Sequence, residues 1–192
     1  DGFAMTKEYN SHMNFWKTIK KPIIGLAPMD GVTDELMRQI QCSITKPDVI
    51  YTEFVSAEGF IRNPDAFKKT LYFTENERPI VAQVFGYTPQ AFFDTILQIS
   101  QMGFDGIDIN MGCPAKSVLH KGGGGALIEN CILSKQIIDK SLEAISKTGK
   151  NIPLSVKTRI GKNKIVTDEW ISFLSDFTIA EITIHVRLLK DG

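Results

Sequence analysis

Short apolar runs alternate with longer amphipathic stretches along nearly the whole chain. Ile23–Ala27 is a buried-strand run closed by Pro28, and Val49–Thr52, Ile80–Phe85, Gly106–Asn110, Pro153–Lys157 and Glu181–His185 read as five more strands. Pro79 stands at the mouth of the third, a position where proline is tolerated. Between them the spacing predicts helices over Val32–Cys42, Thr88–Gln101, Ser134–Lys147 and Asp168–Phe177. The first has Thr33 followed by Asp34 and Glu35, acids placed where the positive end of the helix dipole favours them. The second has Pro89 at its first position and an apolar stripe of Phe92, Phe93, Ile96, Leu97 and Ile99. Strand and helix in this alternation mean right-handed crossovers and a parallel sheet.

Two parallel architectures compete, an open doubly wound sheet and a TIM-type (β/α)8 barrel. The polar residues separate them. Gln83, Asn110, Lys157 and His185 each sit at or near the carboxyl end of a different strand. A barrel brings all of those ends to one face, whereas an open sheet gathers only those beside its switch point. The barrel is therefore the expected fold, as a single domain over residues 1–192. A complete barrel takes about 250 residues and eight strands, so the six strands counted here predict only the first six β/α units.

Composition narrows the class. At 192 residues, 43% hydrophobic and 23% charged, the chain has ordinary globular make-up and enough length for a substantial core. No apolar run approaches the roughly 18 residues that span a bilayer. Lys plus Arg and Asp plus Glu are both 22, so only local clustering can speak to a nucleic-acid partner. Cys42, Cys113 and Cys131 are odd in number and widely separated, which predicts neither a disulfide framework nor a zinc site and suggests a reducing cytoplasm. Asp1–Asn10 shows no basic-then-apolar leader pattern.

The richest stretch for chemistry is Asp108–Lys116, which leaves a strand and enters a loop. Asn110 offers both a donor and an acceptor to a heterocycle. Cys113, followed by Pro114, would stand in a loop at the barrel mouth, where a thiol can donate a proton or act as a nucleophile. Cys42 and Cys131 fall on or beside helices and read as packing residues.

Here the chain resembles the tRNA-dihydrouridine synthases, flavin enzymes that reduce specific uridines in tRNA. The resemblance rests on six segments in order: Leu26–Asp34, Thr52–Ala57, Ala82–Gly86, Gly106–Pro114, Ser155–Gly161 and Ile182–His185. It departs after His185, where Val186 and Arg187 replace the usual Gly-Arg. It implies an FMN across the barrel mouth, with Pro28 and Met29 beneath the ring, Gln83 and Asn110 on its polar edge, and Lys157 and His185 approaching from neighbouring strands. It further implies NADPH as reductant, hydride from the reduced flavin to one carbon of the uracil 5,6 double bond, and a proton from Cys113 to the other. A stacked target base has to be drawn out of the folded tRNA.

An RNA partner should leave an electrostatic footprint. Lys147, Lys150, Lys157, Arg159, Lys162 and Lys164 form a run without an intervening acid, and Lys116, His120 and Lys121 follow the Cys113 loop. Lys116, Lys121 and Arg159 are the expected phosphate contacts. Gly122–Gly125 lacks the ending of a nucleotide-binding P-loop and reads as a flexible segment that moves when tRNA docks. Other readings are a Schiff-base aldolase using Lys157, a flavin barrel acting on a free dihydropyrimidine, or a non-catalytic RNA-binding remnant. With strands seven and eight and the family's C-terminal helical domain absent from these 192 residues, the expectation is a fragment with uncovered edges, weak FMN binding and little activity alone.

Overall fold

The computed structural model describes residues 14–191, so the leader question at Asp1–Asn10 lies outside the described residues. Seven strands run in parallel: β1 (Gly25–Leu26), β2 (Val49–Tyr51), β3 (Val55–Ser56), β4 (Ile80–Phe85), β5 (Gly106–Met111), β6 (Leu154–Gly161) and β7 (Glu181–Leu188). Their order is β1-β2-β4-β5-β6-β7, with β3 also paired to β4. Helices α1 (Glu35–Ile44), α2 (Ala57–Arg62), α3 (Pro89–Ile99), α4 (Lys116–Leu119), α5 (Cys131–Lys147) and α6 (Thr167–Ser175) complete the alternation.

β2 and β3 are one barrel strand interrupted by a bulge. Between the pairs Tyr51–Val81 and Val55–Val84 the β2–β3 side advances four residues and β4 only three. The surplus residue is absorbed at Thr52–Phe54, where the Thr52 hydroxyl accepts from the Gln83 N–H at 3.2 Å in place of a ladder carbonyl. Among the described residues the barrel thus has six strands, as the hydrophobic pattern predicts. β3 and α2 were not foreseen, because a two-residue strand gives no periodicity to read.

The sheet is curled. β1 and β7 are its two edges, yet Gly25 and Ala27 share a cavity of about 290 Å³ with Glu181 and Thr183. The result is a partial TIM barrel. Outside it, the apolar faces of β4, β5 and β6 pack against Phe92, Ile96 and Ile99 of α3, Ile137 and Ile138 of α5, and Trp170 and Leu174 of α6. Inside, Phe15 and Trp16 plug the amino-terminal end of the barrel against Val49, Tyr51 and Val81. Among the described residues no helix is long and apolar enough to cross a membrane.

Two features bear on stability. Leu36, Ile40 and Ile44 form a row along α1, each more than half exposed, so one helix face is left uncovered. Arg38, on the opposite face, is fully buried and paired with an equally buried Glu77 at 2.7 Å. The same guanidinium donates to the carbonyls of Thr33 at 3.1 Å and Tyr72 at 2.6 Å, tying α1 to the segment before β4. Removing one partner of such a pair strands a buried charge. Glu77→Ala should therefore cost about 3–5 kcal/mol in urea denaturation, and a loss below about 1 kcal/mol would show that the pair contributes little.

Candidate active site

Side chains alternate along a strand, so each barrel strand turns every second residue inward. For β5, β6 and β7 these include Asp108 and Asn110, Ser155, Lys157 and Arg159, and Glu181, Thr183 and His185, held level by the pairings Asp108–Ser155–Glu181, Asn110–Lys157–Thr183 and Arg159–His185. At the carboxyl end they open on a cleft of about 470 Å³. Its walls include Pro28 and Met29 after β1, Phe54 in the bulge, and the loop Gly112–Pro114 after β5.

Asn110 controls that loop. Its Oδ1 accepts from the backbone N–H of Gly112 at 3.1 Å and of Cys113 at 2.9 Å, a side chain capping the chain as it leaves the strand. The Gly112 carbonyl accepts from Arg159 Nε at 2.8 Å, and the Cys113 carbonyl accepts from the Gly125 N–H at 3.0 Å. Cys113, partly exposed, is thus presented to the cleft on a loop bonded at three successive peptide groups. Cys42 is half-buried within α1, and Cys131 is exposed at the start of α5.

The glycine run is a packed element. Gly124 has φ +57°, and a Cβ there would stand 2.9 Å from the Cys113 carbonyl oxygen; one on Gly123 would stand 2.6 Å from that of Gly86. Bare backbone is required because this 3-10 turn (Gly124–Glu129) seats directly against the Cys113 loop. The expectation of a flexible segment gives way to a buried buttress.

Beneath the cleft lies an acidic layer. Asp108 is fully buried and accepts from Gln83 Nε2 and Ser155 Oγ, both at 2.6 Å; burial raises its pKa to about 6 despite those bonds and the nearby Lys157 charge. Burial likewise raises Glu181 to about 7, opposed by the Thr183 hydroxyl at 2.8 Å. Lys157 lines both the cleft and the cavity below it. Burial depresses its pKa, the carboxylates of Asp108 and Glu181 work against that, and Arg159 adds to it. Above, burial and the positive charges of Arg159, Lys157 and Arg187 hold His185 below its ordinary value. The basic groups of the cleft thus stand over a base of carboxyl groups, whose negative charge opposes the depression of the Lys157 pKa.

Residues 25–192 match the family model described as Dihydrouridine synthase (Dus). The chain belongs to the dihydrouridine synthase family. Its curated relatives include a "Probable tRNA-dihydrouridine synthase" of Staphylococcus aureus (strain COL), 39% identical over 93% of this chain and 53% of that protein. Another is the "Probable tRNA-dihydrouridine synthase 2" of Bacillus subtilis (strain 168), 37% identical over 91% of this chain and 53% of that protein. The chain spans about half the length of the curated relatives it matches.

For this member of the dihydrouridine synthase family, Pro28, Met29, Asn110, Cys113, Lys157 and His185 all line the cleft. Gln83 does not. It is fully buried and both ends of its amide are bonded, to Asp108 and to Asn110, so it meets the cleft only through Asn110. Arg159, expected at phosphates, is 5% exposed; level with His185, it donates from Nε to the Gly112 carbonyl and from Nη1 to the Leu188 carbonyl at 3.1 Å, so it braces the wall of the cleft instead of reaching outward. Lys116 and Lys121 are exposed beside the Cys113 loop, and Lys121 Nζ lies 5.7 Å above the Tyr87 ring. The basic run 147–164 does not form one rim. Lys157 and Arg159 point inward, Lys147 pairs with Glu143 and Lys162 with Glu129, and Lys150 donates to the Ser100 carbonyl. Among the described residues no group of three or more His, Cys, Asp or Glu is placed to hold a metal. Sequence reasoning missed Phe54, Asp108 and Glu181; for the two acids the available signal was a charged residue inside an apolar strand, in phase with Asn110 and Thr183.

The raised carboxyl has a pH consequence. Glu181 titrates near 4.5 when unfolded and at about 7 when folded, so the unfolded chain releases this proton first. The stability contributed by the group is complete below the lower value and is lost as pH rises to the upper one. Urea titrations at pH 5 and pH 8 should therefore show a larger fall for wild type than for Glu181→Gln; equal falls would place the folded carboxyl back in its ordinary range.

Proposed function

We propose that the protein carrying this chain reduces uridine to 5,6-dihydrouridine in tRNA, with FMN as cofactor and NADPH as reductant, in the cytoplasm. The observation that supports this most is the meeting of Asn110, Cys113, Lys157 and His185, from three strands and a loop, on one cleft. The residues suit a flat heterocycle with one polar edge. Pro28 and Met29 supply an apolar wall, Asn110 and Lys157 a polar one, and the 470 Å³ between them lies in the usual size range for ligand sites.

Pro28 and Met29 would lie beneath the ring, Asn110 and Lys157 along its polar edge, and His185 on the β7 side. Gln83 would act by holding Asn110. When bound, the flavin supplies hydride for one carbon of the uracil 5,6 double bond. Cys113 holds the proton for the other carbon at Sγ, on a loop that Asn110 and Gly125 keep from shifting. Lys157 offsets the negative charge that develops along the polar edge, and its burial makes that charge more effective than in water. Lys116 and Lys121, outside the cleft beside Cys113, would take tRNA phosphates.

The test is NADPH-dependent dihydrouridine formation in tRNA by the protein carrying this chain. Cys113→Ala should bind FMN as wild type does and lose about 10²–10⁴-fold in rate, the range for a lost general acid. Equal rates for the two proteins would remove Cys113 from the chemistry, and no dihydrouridine from either would overturn the reading.

A further inference from the structure

We propose that Asp108 is a positioning residue: the buried carboxylate that sets which way the Gln83 and Asn110 amides face and, through them, where the Cys113 loop sits. The inference deepens the reading of Cys113 as proton donor and rests on it. A primary amide has two ends of nearly equal shape, one donating and one accepting, so packing alone does not choose between them. A partner that can only accept does choose, and an ionised carboxylate is such a partner.

The chain of bonds runs in one direction. Asp108 Oδ1 is occupied by the Ser155 hydroxyl at 2.6 Å, and Oδ2 takes Gln83 Nε2 at 2.6 Å. Gln83 must then turn Oε1 toward Asn110, whose Nδ2 donates to it at 3.0 Å. Asn110 in turn must aim Oδ1 at the loop, where it collects the N–H groups of Gly112 and Cys113. Reversing either amide would set N–H against N–H or oxygen against oxygen. Water offers little relief, because Asp108, Gln83 and Ser155 are fully buried and Asn110 is 8% exposed. Strand register builds the arrangement: Gln83, Asp108 and Ser155 are directly paired across β4, β5 and β6, and Asn110 is the next inward residue along β5.

Backbone amide exchange in the full chain, without flavin or tRNA, tests this. In Asp108→Asn the acceptor-only group is gone and nothing forces the Gln83 amide. Exchange at Gly112 and Cys113 should accelerate about tenfold, the worth of one ordinary hydrogen bond, while Ile107 and Ile109 stay protected. Adding Gln83→Glu moves the acceptor one place along the chain of bonds, where it accepts from the amide introduced at position 108 and from Asn110 alike. Protection at Gly112 and Cys113 should return, which a loss of general packing would not allow. The proposal fails if Asp108→Asn protects these amides as wild type does, or if the double variant exchanges as fast as the single one. If Asp108→Asn does not fold, the double variant decides alone: folded and protected supports the proposal, anything else overturns it. Because the measurement involves no chemistry, its failure leaves the proton-donor reading standing, and the failure of that reading leaves this hydrogen-bond chain intact.

Discussion

The site depends on one acceptor, Asn110 Oδ1, which takes the two backbone N–H groups of Gly112 and Cys113. A chain leaving a parallel strand loses its ladder partners at that point, and without a substitute the loop would have no defined course. Asn110 provides the substitute from within, Arg159 takes the Gly112 carbonyl from β6, and Gly125 takes the Cys113 carbonyl from behind. Polar groups on both faces of the loop are thereby satisfied, and the only part of Cys113 left to the cleft is its side chain.

That arrangement needs a barrel interior, because it needs polar residues from several strands at one level. The interior is layered: an apolar plug of Phe15 and Trp16 at the amino-terminal end, a band with Asp108, Ser155 and Glu181, and the open cleft above. The middle band costs stability, since two carboxyl groups are held where burial opposes their ionisation. In return it orients amides and supports the charge of Lys157. The buried Arg38–Glu77 pair follows similar logic outside the barrel, fixing α1 to the segment before β4.

Much of this was legible in the amino-acid order. The six strands announced themselves through short apolar runs between turn residues, and the barrel through polar residues at four different strand ends. Cys113 stood out because it follows Asn110 in a strand-end loop. What could not be read depended on three-dimensional approach. The four glycines look flexible in sequence, but Gly123 and Gly124 are glycines because the carbonyls of Gly86 and Cys113 lie where side chains would be. Arg159 belongs by sequence to a basic run, but strand alternation turns it inward while Lys162 and Lys164, beyond the inward-facing positions, remain outside. Arg38 and Glu77 carry no pattern linking them across nearly forty residues. The bulge at Thr52–Phe54 leaves no mark on the hydrophobic periodicity, and with it Phe54 and α2 were missed.

The shared cleft can be examined directly by cysteine alkylation. Mass mapping of Cys42, Cys113 and Cys131 during iodoacetamide treatment, with and without FMN, distinguishes a thiol that faces the flavin from two that do not. FMN should slow the alkylation of Cys113 and leave Cys42 and Cys131 unchanged. A Cys113 rate unaffected by bound FMN would mean that the thiol and the flavin do not occupy the same cavity.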